Sequence, residues 1–386
     1  FKQKTAYEIG VRLVGSEMCI RDRLLVVREL NLGKTIHRRK FLSLSVGALG
    51  SSAFLPVTVA FSNLSKSLMA PLLPRRLRAG MVVGVVAPSS NAFQNEEIRY
   101  ALDVVDSLGF KIKPAENLFA RKGYLAGEDA ARAKAINDMF SDDSVDAIFA
   151  LQGGYGATRI LPLLDFDIIR RNPKILLGYS DITALFSAIY RRTGLVTFHG
   201  PIARQEFTDY TLREFTRVLI DGRPGIQIGS PPPFEGGPGR VEKENRLQTL
   251  VEGEASGPMV GGNLSLVASL LGTSYERVFD KSILILEDVD EPPDSIDRML
   301  TSLRLAGVFE RIAGLVLGKF TDYDSKGPTL SLEEVFQDRC GDLNVPVLRG
   351  LMIGHVPDQT VVPLGAIGKL DSKNQTLKIT SPFFSD

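Results

Sequence analysis

The sequence MVVGVVA at residues 81–87 is a continuous apolar run between Gly80 and Pro88. Such a run, bounded by residues that break regular structure, is typical of a strand buried on both faces of a sheet. Apolar side chains at helical spacing follow at residues 96–108 and predict an amphipathic helix. A buried strand followed by an amphipathic helix is the repeating unit of a parallel sheet covered by helices.

The same alternation continues to about residue 200. Further strands are predicted at 111–115 (KIKPA), 146–151 (DAIFAL), 174–178 (KILLG) and 195–198, and further helices at 129–140 and 181–192. We therefore predict an α/β protein whose N-terminal domain, residues 78–205, is a doubly wound parallel sheet with helices on both faces.

The strand–helix alternation stops after this domain. The segment GSPPPFEGGPGR (229–240) is rich in proline and glycine, which exclude a helix or a central strand. One helix-like piece, TLREFTRVLI (211–220), precedes it. We predict that residues 206–257 are a linker and surface loop.

A second, smaller domain of the α/β class, rich in β-structure, is predicted over residues 258–386. Its first helix lies in GGNLSLVASLLGT, with Asn263 as the N-cap. The remaining predictions are a buried strand at 282–287 (SILILE), a helix over 294–307 capped by Ser295 or Asp294 and ended by Gly307, and a buried strand at 315–320 (LVLGKF).

The first 77 residues do not resemble a folded domain. Residues 1–23 have no clear period and resemble the conceptual translation of a sequencing adapter, so we expect them not to be native. A disordered native extension is the alternative. Residues 24–77 are interpreted as an export signal and linker, because Arg38-Arg39 precedes a weakly apolar run that ends in small residues at Ala60. This pattern resembles a twin-arginine signal, and a basic leader without an export role is the other interpretation.

The composition excludes several classes of function. Residues 1–60 hold ten Lys/Arg and four Asp/Glu, whereas the whole chain has a net charge of only +1. The rest is therefore mildly acidic and offers no basic surface for nucleic acid. Pro56 interrupts the apolar run of the leader, which argues against stable membrane insertion. Two cysteines and three histidines are too few for a disulfide framework or a hydrolase zinc site, and we expect no metal and no cofactor.

Ser180 is the candidate nucleophile, because it lies where a predicted strand passes into a predicted helix. A serine at such a turn can present its hydroxyl beyond the edge of the sheet. The first amides of the following helix can stabilise a developing oxyanion. The alternative interpretation is a serine that only caps the helix.

A serine nucleophile needs a base and a group that orients the base. His355 and His199 each follow an apolar run, and either one could be the base. Glu287 directly continues the predicted strand SILILE, so we expect its carboxylate to be partly buried and to pair with an imidazole. Cys340 is set aside as a nucleophile, because a helix end and neighbouring acids raise a thiol pKa.

Several motifs follow one another in a consistent order over about residues 78–384. They are GYSDIT (178–183), FHGP (198–201), VGGNLSLVASLLGT (260–273), LILEDVDE with IDRML (284–300), and IGHV with VVPLG (353–365). Together they resemble the LD-carboxypeptidase family, the muramoyltetrapeptide carboxypeptidases. The resemblance implies a serine peptidase in which Ser180 is the nucleophile, Glu287 the acid and His355 the base.

The same resemblance implies further features of the site. The backbone amides of Asp181, Gly153 and Gly154 would form the oxyanion hole, and the catalytic cleft would lie between the two domains. His199 matches a family element that is not the base, which implies a structural role. The family often has arginine directly before its GGYG motif, where this chain has Gln152.

The implied reaction is hydrolysis of the L,D-amide bond that releases terminal D-alanine from murein tetrapeptides or larger muropeptides, in peptidoglycan turnover or recycling. The family suggests a homodimer. The Arg38-Arg39 leader predicts a periplasmic location, although most of the family is expected in the cytoplasm, which is the alternative.

Two other functions remain open. A microcin-immunity branch of the same family cleaves peptide–nucleotide antibiotics with the same triad, and the absence of tryptophan argues weakly against an aromatic platform for the nucleotide base. An exported two-domain solute-binding protein without catalysis is the second alternative. A binding protein has no reason to bring Ser180, Glu287 and His355 together.

Overall fold

The computed structural model describes residues 70–325 and 327–386. The adapter-like residues 1–23 and the predicted signal with Arg38-Arg39 lie outside the described residues. The strands are β1 (Val82–Val86), β2 (Lys111–Pro114), β3 (Ala147–Ala150), β4 (Ile175–Gly178), β5 (Thr197–His199), β6 (Gln227–Ile228), β7 (Gln248–Val251), β8 (Glu254–Asn263), β9 (Ile283–Val289), β10 (Gly314–Thr321), β11 (Val347–Arg349), β12 (Val362–Leu364), β13 (Ile367–Asp371) and β14 (Thr376–Ile379). The α-helices are α1 (Asn95–Ser107), α2 (Asp129–Ser141), α3 (Ala157–Ile160), α4 (Phe166–Arg171), α5 (Thr183–Thr193), α6 (Asp209–Phe215), α7 (Leu264–Ser269), α8 (Pro293–Leu305) and α9 (Leu332–Cys340).

The first sheet has the order β12-β5-β4-β3-β1-β2, and β1 to β5 run parallel. Every residue of β3 and β4 is buried, which explains why their sequences are uninterrupted apolar runs. The strand order reverses between β1 and β3. In doubly wound sheets, ligands bind outside the carboxyl ends of the strands at such a reversal. The predicted α/β fold class is therefore confirmed. In a fold of this kind, a ligand site is expected at the carboxyl ends of the strands, where the strand order reverses.

The second sheet has the order β6-β14-β13-β8-β9-β10-β11-β7. The strands β8 to β11 are parallel, and antiparallel strands extend both edges. Side chains along β9 alternate between two cores: Ile283 and Ile285 join the larger apolar cluster, whereas Leu284 and Leu286 join a smaller one. The larger cluster also contains side chains of the first sheet, such as Val85. One face of the second sheet thus shares a core with the first sheet.

The prediction of a linker over residues 206–257 is only partly right. The proline-rich stretch 229–240 is irregular, as its composition predicts. However, α6, β6, β7 and the start of β8 lie in the same segment. All four residues of β7 are half-buried at a sheet edge, so they carry no clear alternation that the sequence could reveal. In addition, β12 pairs with β5, so the chain from the predicted second domain returns to the first sheet.

The helix after β9 begins earlier than predicted. α8 begins at Pro293 and makes no side-chain cap, so neither Ser295 nor Asp294 is its N-cap. Proline suits the first position of a helix because its φ angle is already helical and its missing N–H is not needed there. The Asn263 cap of α7 is confirmed, since its side chain accepts a hydrogen bond from the amide of Leu266.

Candidate active site

Ser180 lies at the carboxyl end of β4, in a turn of 3₁₀ helix at Ser180–Ile182 that leads into α5. Its φ angle is +63°, a left-handed conformation that residues other than glycine rarely adopt. Strain of this kind persists only where the surrounding fold enforces it, and it clusters at functional sites. A plain N-cap serine would have an extended conformation instead. The turn therefore has the character of a nucleophile elbow.

The glycine loop after β3 packs directly against this turn. A methyl group on Gly153 would lie 2.7 Å from Ser180 Cβ, 2.9 Å from Ser180 Oγ and 3.2 Å from the amide nitrogen of Asp181. Gly154 has a φ angle of +102°, and a side chain there would collide with Ser90. The structure thus places Gly153 against the Ser180 side chain and close to the Asp181 amide.

Glu287 and His355 form a close pair. His355 Nδ1 lies 2.7 Å from Glu287 Oε2, and the Glu287 side chain is completely buried. An ionised carboxylate only accepts hydrogen bonds, so Nδ1 of the imidazole is the donor. In the neutral ring, Nε2 is then free of its proton and can accept one from a hydroxyl. This is the pairing of acid and base that a serine peptidase uses.

A second histidine approaches the same carboxylate. His199 Nε2 is 3.5 Å from Glu287 Oε1, and the His199 ring is buried with its Nδ1 unpaired in the described structure. Burial tends to raise the pKa of Glu287, but the hydrogen bonds from His199 and His355 outweigh it and lower the pKa to about 2. Glu287 is therefore a stable anion at neutral pH. The structural role assigned to His199 from the sequence thus includes contact with the acid of the site.

Tyr179 connects the serine turn to the two histidines. Its ring packs edge-on against His355, with centroids 4.7 Å apart, and lies 6.0 Å from the ring of His199. Burial, together with the charge of Glu287, raises the pKa of Tyr179 to about 12, so it stays neutral. Within the described residues, Ser180 and His355 are not hydrogen-bonded to each other. Such bonds are often long or absent without substrate and tighten in the complex.

Two buried charged residues fix the loops around Ser180. The carboxylate of Asp181 accepts a hydrogen bond from the amide of Ala157, at 2.8 Å, which ties the serine turn to α3. Arg132 is fully buried and donates to the carbonyls of Pro88 and Gly156. These contacts join the loops that follow β1 and β3, on the two sides of the strand-order reversal. Sequence reasoning missed both roles, because nothing in a single arginine on a helix signals a contact between two loops.

Cys340 is not part of this arrangement. It is completely buried at the end of α9, and burial raises the pKa of its thiol to about 12. A thiol that stays protonated and inaccessible is a poor nucleophile. Burial, rather than the position at a helix end, is the main cause of the raised pKa of the Cys340 thiol.

The described residues contain no group of three or more His, Cys, Asp or Glu side chains placed to hold a metal ion. In the same part of the chain, no helix has the length and apolar character needed to cross a bilayer.

Comparison with known proteins identifies the family. The N-terminal domain of the LD-carboxypeptidases matches residues 83–200, and their C-terminal domain matches residues 256–370. The probable murein peptide carboxypeptidase of Bacillus subtilis is 37% identical over 308 residues, which cover 79% of this chain and 93% of that protein.

Solved structures agree with this match. A structure of the microcin C7 self-immunity protein MccF in complex with glutamyl sulfamoyl guanosine has a TM-score of 0.75 and 26% identity, covering 82% of this chain and all of that one. The muramoyltetrapeptide carboxypeptidase of Oxalobacter formigenes has a TM-score of 0.66 and 26% identity, covering 78% and 99%. The two domain matches agree with the Bacillus subtilis relative and with the fold of the solved structures. The chain belongs to the LD-carboxypeptidase family of peptidases.

Proposed function

We propose that this protein is a serine-type LD-carboxypeptidase that releases the terminal D-alanine of murein tetrapeptides. The observation that carries the proposal is the buried Glu287–His355 pair at 2.7 Å, together with a serine held in a strained turn beside the Asp181 amide. The names of the relatives support the substrate class, since they include a murein peptide carboxypeptidase and a muramoyltetrapeptide carboxypeptidase.

The reaction proceeds in two acyl-transfer steps. Ser180 Oγ attacks the carbonyl carbon of the scissile amide while His355 Nε2 takes the hydroxyl proton. The oxyanion that forms is stabilised by the backbone amides of Asp181, Gly153 and Gly154. His355 then gives the proton to the leaving nitrogen of D-alanine, and an acyl-enzyme remains. A water molecule, activated by the same histidine, hydrolyses that ester and restores the serine.

Glu287 supports both steps without losing its charge. Its carboxylate holds His355 in the tautomer that accepts a proton at Nε2, and it stabilises the imidazolium that forms. A pKa near 2 means that Glu287 does not compete for that proton at neutral pH.

A microcin-immunity activity is the second candidate, supported by the TM-score of 0.75 to MccF. The same acyl-transfer chemistry would serve both substrates, so substrate choice has to be tested directly. A non-catalytic solute-binding protein does not fit membership of a peptidase family.

Mass spectrometry of murein tetrapeptide incubated with the purified protein tests the proposal. We expect a tripeptide and free D-alanine as products. A parallel incubation with an aminoacyl sulfamoyl nucleoside tests the second candidate. Cleavage of the nucleoside compound without any loss of D-alanine from the tetrapeptide would replace the first proposal by the second.

A further inference from the structure

Arg204 lies beside the glycine loop of the site. The amides of Ala203 and Arg204 donate to the carbonyls of Ala150, at 2.9 Å, and Leu151, at 3.2 Å. The Arg204 backbone is thus anchored to the end of β3, immediately before Gln152 and Gly153. Gly153 packs against Ser180 and lies two residues after Leu151, to which the Arg204 backbone is bonded. The backbone of Arg204 is therefore near the proposed nucleophile.

The Arg204 side chain is held by Gln152. Its guanidinium donates to Gln152 Oε1, while Gln152 Nε2 donates to the carbonyls of Ser90, at 3.1 Å, and Asn91, at 2.7 Å. Gln152 therefore bridges the loops after β1 and β3, which flank the strand-order reversal, and holds the guanidinium at these loops. A positive charge is thereby present next to position 152, although residue 152 itself is neutral.

Among the residues that the structure describes, the Arg204 guanidinium donates a hydrogen bond to Gln152 alone, which leaves most of its donors for a ligand. Arginine has five N–H groups, and its planar fork matches a carboxylate. The only other charged contact of Arg204 among the described residues is Glu97, at 3.7 Å, beyond hydrogen-bonding range. The Glu97 carboxylate accepts a hydrogen bond from the amide of Phe93. The Arg204 side chain is 41% exposed, so a ligand can reach it.

We propose that Arg204 binds the terminal carboxylate of the peptide and thereby makes the enzyme a carboxypeptidase, a specificity role that rests on the proposed function. The carboxylate of the leaving amino acid is separated from the scissile carbonyl by a single N–Cα unit, so its binding group must lie close to the oxyanion hole. Arg204 satisfies this condition because it is bonded to Gln152, whose neighbour in the chain, Gly153, packs against Ser180. The two buried acids near the serine, Asp181 and Glu287, would repel the substrate carboxylate, so they cannot bind it in place of Arg204.

The test compares Arg204→Gln with the unaltered protein on two peptides, the tetrapeptide with a free carboxylate and the same peptide with a C-terminal amide. We expect the variant to lose on the order of 10- to 100-fold in kcat/KM for the free carboxylate, mainly through KM. Its rate on the amide should stay unchanged. Arg204→Lys should recover part of the loss, because it keeps the charge without the planar fork.

Two further variants sharpen the result. Arg170→Gln is the matched control, since Arg170 is 49% exposed and lies 3.9 Å from Asp167. It precedes β4, whereas Ser180 follows that strand at its carboxyl end. Arg170→Gln should behave like the unaltered protein. Glu97→Gln should lower KM for the free carboxylate, because it removes a competing negative charge.

Circular dichroism and a thermal melt establish that each variant is folded. If Arg204→Gln discriminates between carboxylate and amide as well as the unaltered protein does, the role of Arg204 is wrong while the proposed function stands. If the unaltered protein cleaves neither peptide, the proposed function is wrong. Calorimetric titration of both peptides into folded Arg204→Gln and unaltered protein then decides on Arg204, and equal affinities would overturn its role.

Discussion

At the scale of single residues, the main finding is that one buried carboxylate serves two imidazoles. Glu287 accepts from His355 at 2.7 Å and from His199 at 3.5 Å. The shorter contact orients His355, the proposed base, and the longer one helps to keep the buried Glu287 carboxylate ionised. The sequence indicated Glu287 and His355 individually, since each follows an apolar run. It could not indicate that His199 meets the same carboxylate, because residues far apart in the chain carry no sign of their spatial contacts.

The pairing of Glu287 predicts a dependence of stability on pH. Its pKa is about 2 in the folded protein, below the ordinary value of 4.5, so its contribution is complete above pH 4.5 and is lost as the pH falls towards 2. Between pH 7 and pH 3, the free energy of unfolding should fall by on the order of 2 kcal/mol more in the unaltered protein than in Glu287→Gln. Urea unfolding at both pH values measures this.

Glu254→Gln is the control for this measurement, because Glu254 is exposed and pairs with Lys369 at the surface. An equal pH effect in the unaltered protein and in Glu287→Gln would mean that Glu287 is not held ionised by the two histidines.

At the scale of elements, local patterns identified the parts that position Ser180. β1, β3 and β4 were visible as apolar runs, and the strand-to-helix passage around Ser180 was visible from Gly178 onwards. The positive φ angle of Ser180 was not visible, since serine itself gives no sign of it. The start of α8 was predicted at a polar N-cap, Ser295 or Asp294. The helix begins instead at Pro293, because proline is also well suited to the first position of a helix.

The contact between the glycine loop and the serine turn gives a second prediction. Gly153→Ala should lower kcat by about 10²- to 10³-fold, because the new methyl group would lie 2.7 Å from Ser180 Cβ and displace the hydroxyl or the oxyanion amides. Steady-state kinetics with murein tetrapeptide measure the loss.

Gly237→Ala is the matched control, since an added methyl group there meets no atom within 4 Å. It should leave kcat unchanged. Full activity of Gly153→Ala would show that the loop after β3 does not form the oxyanion hole.

At the scale of the whole molecule, two sheets contribute residues to the candidate site. The first sheet carries Ser180 at the end of β4, and the second carries Glu287 in β9. The sequence predicted two α/β parts, the first of them a doubly wound sheet, and the first sheet has the strand-order reversal of that class. It did not predict that β12 returns to the first sheet, next to β5 and His199, because Val362–Leu364 is too short to reveal which edge it joins.

The location of the protein remains a proposal, which rests on the twin arginines of the leader. We expect Arg38→Lys/Arg39→Lys to prevent appearance in the periplasm, because the twin-arginine route reads the arginine pair itself. Cell fractionation and immunoblotting measure the distribution. Equal periplasmic amounts with and without the substitutions, or no periplasmic protein in either case, would contradict export by this route.

The central claim is that Ser180 is the nucleophile and acts as one unit with His355 and Glu287. The most direct measurement is the rate of D-alanine release from murein tetrapeptide by Ser180→Ala, with folding checked by circular dichroism. Because members of a triad act together, we predict a loss on the order of 10³-fold or more, and a loss of similar size in His355→Ala. A folded Ser180→Ala protein that retains more than a few per cent of the original rate would contradict the serine mechanism.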